Sequence, residues 1–372
     1  MCSGNLYDLS ADPGFWKHRR VFITGHTGFK GSWLVSWLTG LGAAVGGYAL
    51  APNTDPNIFG ILDLGARCDH VLGDIRDVDA LFAAMSAFKP DVAIHMAAQP
   101  LVRLSYEQPS DTFAVNVQGT VNFLEACRRQ ETLKSVVVVT TDKCYVNREW
   151  AWSYRETDPL GGRDPYSASK ACAEIVTGSY RDSFFAGASA GAPVSSARAG
   201  NVFGGGDWSL DRLVPDIVRS FVRQAPVEIR SPRAVRPWQH VLEPLAGYLM
   251  LARGCFEYGR EFAEGWNFGP SDGQMLTVQD FVNMMSERWG GPGSNVVTPP
   301  NTPHEAQLLL LDSGLARRRL GWHPQMSMAQ SINSTVDWYR AFYDGASASE
   351  MQRITTGQIG SYAGALGWAA PV

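Results

Sequence analysis

Apolar positions in the first two hundred residues fall into short runs separated by longer amphipathic stretches. The runs lie at Arg20–Thr24, Ala44–Ala49, Asp69–Leu72, Asp91–His95 and Ser135–Thr140, with a sixth at Val194–Ala199. Most carry Val, Ile and Ala without polar alternation, the signature of strands covered on both faces. Between them, Phe29–Leu41, Val78–Phe88, Asp111–Arg129 and Pro165–Phe184 repeat apolar residues at helical spacing. Buried strands alternating with helices predict an α/β protein with a doubly wound parallel sheet. After about Asn201 glycines and prolines crowd together, and shorter, more widely spaced helices are expected. That change of texture predicts a smaller α/β lobe at the C-terminal end. The division expected is a sheet domain over 15–200 plus about 236–262, and a lobe over 201–235 and 265–345. The Ala-, Gly- and Ser-rich end, 346–372, reads as a mobile tail.

Composition narrows the function classes. The chain has 372 residues, enough for about two domains, with 45% hydrophobic and 18% charged residues. Its formal net charge of −4 offers no basic footprint for a nucleic acid. No apolar run approaches the ~18 residues of a membrane helix, and the N-terminus lacks the apolar core of a signal peptide. A cytoplasmic protein is expected. Six cysteines form no CxxC pair, and His95, His240 and His304 share no ligand spacing, so no metal is expected. The 38 glycines, 21 prolines and 41 aromatics favour tight turns and flat surfaces, which suit a small-molecule pocket.

The first strand runs into Gly25-His26-Thr27-Gly28-Phe29-Lys30-Gly31 and then a helix. Glycines at a first βα turn let the backbone approach a pyrophosphate, and the helix N-terminus offers free amides to that anion, as in Rossmann-type sheets. The spacing is GxxGxxG, and tight packing is its alternative reading. The second strand ends Tyr48-Ala49-Leu50 with no acid until Asp55, and no Arg or Lys stands between Lys30 and Arg67. The usual rule for choosing between NAD and NADP therefore gives no answer. Asp74-Ile75 suits an adenine, with Asp77 the better helix cap. Met96-Ala97-Ala98-Gln99 supplies small residues where a dinucleotide would lie close.

A second cluster carries acid–base chemistry. Strand five ends Thr140-Thr141-Asp142-Lys143, and a helix carries Tyr166 and Lys170 four residues apart on one face. A nearby cation favours the phenolate, so Lys170 is expected to lower the ordinary value of Tyr166.

The glycine turn, Thr141 and the Tyr166/Lys170 pair resemble the extended short-chain dehydrogenase/reductases, the NAD-dependent epimerase/dehydratase family, over residues 15 to about 345. Within it, the runs 25–31, 99–108, 141–149, 198–208 and 236–244 are similar to the sugar-nucleotide 4,6-dehydratases acting on CDP-glucose. The resemblance implies tightly bound NAD, regenerated each turnover. Its contacts would be Gly25, Thr27, Gly28, Phe29, Lys30, Gly31, Asp74, Ile75, Ala97, Ala98, Gln99, Asn116, Thr140, Tyr166 and Lys170. It implies a nucleotide-sugar substrate held by Arg103, Asn201, Arg212, Arg236 and Asn267, and a homodimer or larger assembly paired through a helix bundle. A place in deoxysugar biosynthesis, such as that of O-antigen, would follow.

The implied reaction oxidises C4, removes water across C5 and C6, and returns the hydride to C6. Tyr166 would take the O4 proton, Thr141 would hydrogen-bond O4, and a buried Asp142 would protonate the leaving hydroxyl. Better-known relatives carry Glu where this chain has Lys143. Two roles stay open for it: a C5 base, which requires a lysine that has shed its proton, or a cation that stabilises the C5 enolate. A 4-epimerase would share Tyr166 and Lys170 without needing Asp142-Lys143. A dehydratase for another nucleotide sugar, or a non-catalytic dinucleotide-binding regulator, are the remaining alternatives.

Overall fold

The computed structural model describes residues 9, 14–186, 191–270, 275–297 and 308–368. Cys2, His304 and the last four positions of the expected tail lie outside them. The first half alternates as the sequence predicts: β1 (Arg20–Thr24), α1 (Phe29–Gly40), β2 (Ala44–Ala49), α2 (Ile58–Ile61), β3 (Asp69–Leu72), α3 (Val78–Phe88) and β4 (Val92–His95). Then come α4 (Val102–Glu107), α5 (Pro109–Phe113), α6 (Gly119–Arg128), β5 (Ser135–Val139), α7 (Pro165–Phe184) and β6 (Val194–Ala199). The expected helix over Asp111–Arg129 is interrupted. Residues Ala114–Gln118 form a π turn between α5 and α6.

The second half holds β7 (Val202–Phe203), α8 (Leu213–Val222), β8 (Val227–Ile229), β9 (Val235–Arg236), β10 (Gln239–His240), α9 (Leu242–Tyr258) and β11 (Gly265–Phe268). It closes with β12 (Leu276–Thr277), α10 (Val278–Trp289), β13 (Ser294–Val296), α11 (Met328–Tyr343) and α12 (Ala348–Ala365).

Seven strands form the main sheet in the order β11-β6-β5-β4-β1-β2-β3, every neighbouring pair parallel. The order reverses between β1 and β4, so their C-terminal ends open a crevice where such sheets bind ligands. The central strands β4, β5 and β6 are buried along their whole length, as unbroken apolar runs demand. Helix α9 is buried nearly all round and packs on β5 and β6. The smaller strands pair in twos: β7 with β10, β9 with β12, and β8 with β13.

Three expectations need correction. Residues 265–268, assigned to the lobe, are instead the seventh strand of the main sheet, in register with β6. The later helices are not uniformly short: α9, α11 and α12 span 17, 16 and 18 residues. And the mobile tail is a docked helix. Ser347 caps α12 through a reciprocal capping box with Glu350, and Met351, Ile359, Tyr362 and Ala363 are buried. Small residues hid this helix in the sequence, because its buried face is narrow. No helix among the described residues is long and apolar enough to cross a membrane.

Candidate active site

A cleft of about 1220 Å³ opens at the sheet's C-terminal edge, between the strand ends and the segments around α8, β8 and β9. Its walls include the glycine turn, residues 96–98, Thr140 to Lys143, Tyr166 and Lys170. Both clusters singled out in the sequence therefore face one space.

The three glycines of the turn divide by role. Gly25 has a φ of +76°, and a Cβ there would sit 2.7 Å from the amide nitrogen of Ala97. At Gly31 a Cβ would strike the Gly25 carbonyl oxygen at 2.3 Å. These two permit backbone to pack on backbone, so the tight-packing reading holds for them. All three line the cleft, but Gly28 differs: a Cβ there meets only the Gly25 oxygen, at 3.4 Å. It is also the N-cap of α1 and leaves the helix without a side-chain cap. Uncapped amides beside open space fit a pyrophosphate. Lys30, in the first turn of α1, lines the cleft and donates to the Tyr248 hydroxyl at 3.2 Å. Burial, with Arg212 and Lys170, pulls its ammonium down to about 7, against the pull of Asp142. An arriving phosphate would meet a cation that is costly to keep charged alone.

Farther along, Thr27 donates to the Leu50 carbonyl at 2.8 Å, and Leu50, Ala51, Pro52 and Asn53 complete the wall where an acid was missing. Asp74 and Ile75 reach the cleft, but Asp74 is gripped by Arg76, whose hydrogen bonds hold its carboxyl below the usual range. Asp77 caps α3 through the Ala80 amide at 3.0 Å, as expected. Ala97 and Ala98 line the cleft. Gln99 and Asn116 do not. They bind each other in both directions, at 2.8 and 3.0 Å, and Asn116 also donates to Ser169 at 2.9 Å. They hold the π turn against α7, behind the wall instead of in it.

The acid–base cluster is built at the joint of β5 and α7. Asp164 caps α7 through the Ser167 amide at 2.9 Å, Pro165 opens it, and Tyr166 follows on the first turn. The Tyr166 hydroxyl lies beside the Thr141 side chain. Burial pushes its hydroxyl up to about 12; the opposing pull comes chiefly from Thr141 and Arg212. The lowering expected from Lys170 is thus not the main effect. Lys170 donates to the Val139 carbonyl at 3.4 Å, and burial draws its ammonium down to about 8, with Glu174 resisting. After Thr141 the chain makes a 3-10 turn, Asp142–Cys144. Asp142 is 1% exposed, accepts from the Thr141 hydroxyl at 3.0 Å on Oδ1, and has no protein partner for Oδ2. Burial raises its carboxyl above the ordinary range in spite of Lys143, Thr141, Arg236 and Lys30. The Lys143 ammonium lies 5.9 Å from the centre of the Tyr166 ring. A carboxyl biased towards its protonated form, a phenol and an amine thus share one wall.

Of the expected sugar-nucleotide contacts, Arg103, Asn201, Arg212 and Arg236 line the cleft. Arg103 pairs with Asp211 at 3.2 Å and Arg212 with buried Asp207 at 3.0 Å. Asn267 is a correction. It is fully buried in β11, donates to the carbonyls of Tyr154 and Asp312, and accepts from the Tyr145 hydroxyl at 2.7 Å. Its amide satisfies backbone within the core. Glycines 205 and 206 also serve packing: a Cβ on Gly205 would overlap Trp338, and Gly206 sits against Ile58. Two groups escaped the sequence reading. Asp207 anchors Arg212, and Glu174 lies one turn beyond Lys170, where i, i+4, i+8 spacing from Tyr166 could have flagged it.

Known proteins place this site in a family. A CDP-glucose 4,6-dehydratase of Salmonella typhimurium is 51% identical over 337 residues, spanning 90% of this chain and 94% of its own. The Streptomyces venezuelae dTDP-glucose 4,6-dehydratase DesIV, solved with NAD and TYD bound, superposes with a TM-score of 0.74 at 26% identity, covering 86% of this chain and 97% of that one. A UDP-glucose 4-epimerase from Thermotoga maritima shares the fold, with a TM-score of 0.75 at 22% identity over 87% of this chain and 99% of its own. Residues 22–335 match the model of the GDP-mannose 4,6-dehydratase family, and the chain belongs to that family.

Proposed function

We propose that the chain is an NAD-dependent hydro-lyase that converts CDP-glucose to CDP-4-keto-6-deoxyglucose and water. One observation carries the choice of a dehydratase over an epimerase: buried Asp142, with Oδ2 unmatched by protein, beside Lys143 and Tyr166 in one cleft. An epimerase has no leaving hydroxyl to protonate. The nucleotide is chosen by the high identity to the Salmonella CDP-glucose enzyme. NAD, when bound, supplies an acceptor for the C4 hydride and the donor that later gives it to C6. Gly28, the first amides of α1 and Lys30 would hold its pyrophosphate.

The chain's own residues then divide the proton work. Tyr166 takes the O4 proton, helped by neighbouring Thr141 and by positive charge at Arg212. The resulting 4-ketone acidifies C5. Lys143 serves the C5 position, as base or as the cation that stabilises the enolate. Asp142, kept towards its protonated form by burial, gives its proton to the departing C6 hydroxyl. Arg103, Arg212 and Arg236 face the substrate's phosphates, a pairing that suits guanidinium groups.

The test is direct. Purified protein with NAD is offered CDP-, dTDP-, UDP- and GDP-glucose in deuterated water, and product is scored as base-labile 4-keto absorbance with solvent deuterium at C5. Turnover confined mainly to CDP-glucose is expected; turnover of another nucleotide sugar with none of CDP-glucose would overturn the specificity. We further infer a homodimer, since Phe113 and Ile175 are exposed apolar side chains on α5 and α7, two helices that pack together. Sedimentation of an Ile175→Arg variant tests it, with a shift towards monomer expected.

A further inference from the structure

Beneath Tyr166 and Lys170, the same face of α7 continues to a buried carboxylate. Glu174 accepts hydrogen bonds from the Thr140 hydroxyl, from the Ser196 hydroxyl at 2.7 Å and from Arg198 at 2.7 Å. Arg198 is equally buried and donates onward to the Tyr145 hydroxyl at 2.8 Å and the Glu156 carbonyl at 3.0 Å. Glu156 in turn accepts from the Asn267 amide at 2.9 Å. Four segments meet at this one ion pair: the catalytic helix, the C-terminal end of β5, strand β6 and the loop from Tyr145 to Glu156.

The location matters because of what each segment carries. Thr140 immediately precedes Thr141, Asp142 and Lys143. Tyr145 follows them, and residues 145–149 line the cleft. A buried ion pair contributes little to stability compared with apolar residues of the same volume, and breaking it from one side is expensive. Such a pair is retained most readily where it fixes an arrangement. The geometry points to Glu174 and Arg198 as positioning residues, whose ion pair sets the register of the Tyr166/Lys170 helix against the Thr141-Asp142-Lys143 turn. This inference rests on the dehydratase reading. Neither residue reaches the reacting atoms; both act through groups that do.

A fixed negative charge at Glu174 has a second consequence. Burial works against its ionised form, yet Arg198, Thr140 and Ser196 keep the carboxyl below its usual range. Lys170 is faced by Glu174 on α7, by Cys144 on the turn, by Lys30 on α1 and by His95 on β4. Of these, Glu174 is the charge that most favours its protonated state.

The test begins with the wild-type enzyme and CDP-glucose, because failure there rejects the dehydratase reading and not this one. Given wild-type turnover, the double variant Glu174→Met/Arg198→Met replaces the pair with apolar volume and leaves no lone buried charge. Expected is a melting temperature within a few degrees of wild type, KM little changed, and kcat lowered about 10- to 100-fold, the scale of a misplacement near 1 Å. Wild-type kcat in the folded double variant overturns the inference. Two single variants decide the case in which the double variant does not fold. Glu174→Gln should lower kcat and move the alkaline limb of its pH profile to lower pH, while Glu174→Asp, which keeps the charge, should lower kcat with that limb in place. Identical pH profiles for Gln and Asp, or wild-type kcat in both, overturn it equally.

Discussion

Asp142 and Lys143 are neighbours in sequence, but the fold gives them different surroundings. Asp142 is turned into the protein, where burial biases its carboxyl towards the protonated form, while Lys143 is half-buried on the cleft wall. A general acid must hold its proton, so activity limited by Asp142 falls as pH rises through its elevated value. Asp142→Asn should keep C4 oxidation, seen as bound NADH on adding CDP-glucose, and lower water loss by about 10²-fold or more. Restored dehydration in that variant would remove the acid from the scheme. Lys143→Ala should stop C5 deuterium exchange while some NADH formation survives; full dehydratase activity would sink its assignment. The residue types and their spacing were legible in the sequence because side-chain chemistry is local. The state of each group was not. Tyr166 is pushed up by burial that no spacing reveals, and Asn267 and Asn116 spend their amides on backbone that only the fold brings near.

At the scale of elements, strands β1, β2, β3 and β6 begin and end where the apolar runs do, and α3 and α7 match their periodic stretches, since Asp77 and Asp164 cap them. What the pattern missed were elements whose partners are distant in sequence. Strand β11 is four residues long and joins the sheet only through β6, and α12 packs on α1, at the other end of the chain, as well as on neighbouring α11. The clasp on α12 is specific. Glu243 of α9 is buried and accepts from the Tyr362 hydroxyl and from the amides of Gln325 at 2.9 Å and Met326 at 2.7 Å. Burial raises its carboxyl to about 7 in spite of these bonds. A carboxyl whose folded value exceeds its unfolded value of about 4.3 contributes stability that is full below that lower value and lost as pH rises through about 7. Melting followed by circular dichroism should show this component between about pH 4 and 7, on the order of 1–3 kcal/mol. In Glu243→Gln the component should vanish; an unchanged slope would assign it elsewhere.

For the molecule as a whole, a formal net charge of −4 and an anionic substrate coexist because the cations are gathered in one place. Lys30, Arg103, Arg212 and Arg236 all reach the cleft. The glycine turn and the segments around α8 and β9 contribute them from facing walls, which is why composition alone pointed away from a polyanion but not from one nucleotide. The clamps are not equivalent. Arg103 pairs with Asp211, both partly exposed, whereas the partner of Arg212 is Asp207, whose side chain is only 4% exposed. Asp207 is further fixed by Tyr339 of α11, which accepts from its amide at 3.0 Å and donates to its carbonyl. On the proposed reading, removing Arg103 costs a phosphate contact and a weak surface pair; removing Arg212 also strands a buried carboxylate. Arg103→Met should raise KM for CDP-glucose about tenfold, equivalent to about 1.4 kcal/mol, with the melting temperature unchanged. Arg212→Met should raise KM at least as far and also lower the melting temperature by several degrees. Adding Asp207→Asn to it should recover much of that stability without recovering KM. Equal melting temperatures for the two single variants would mean that Asp207 does not depend on Arg212, and the support running from α11 to the cleft would have to be redrawn.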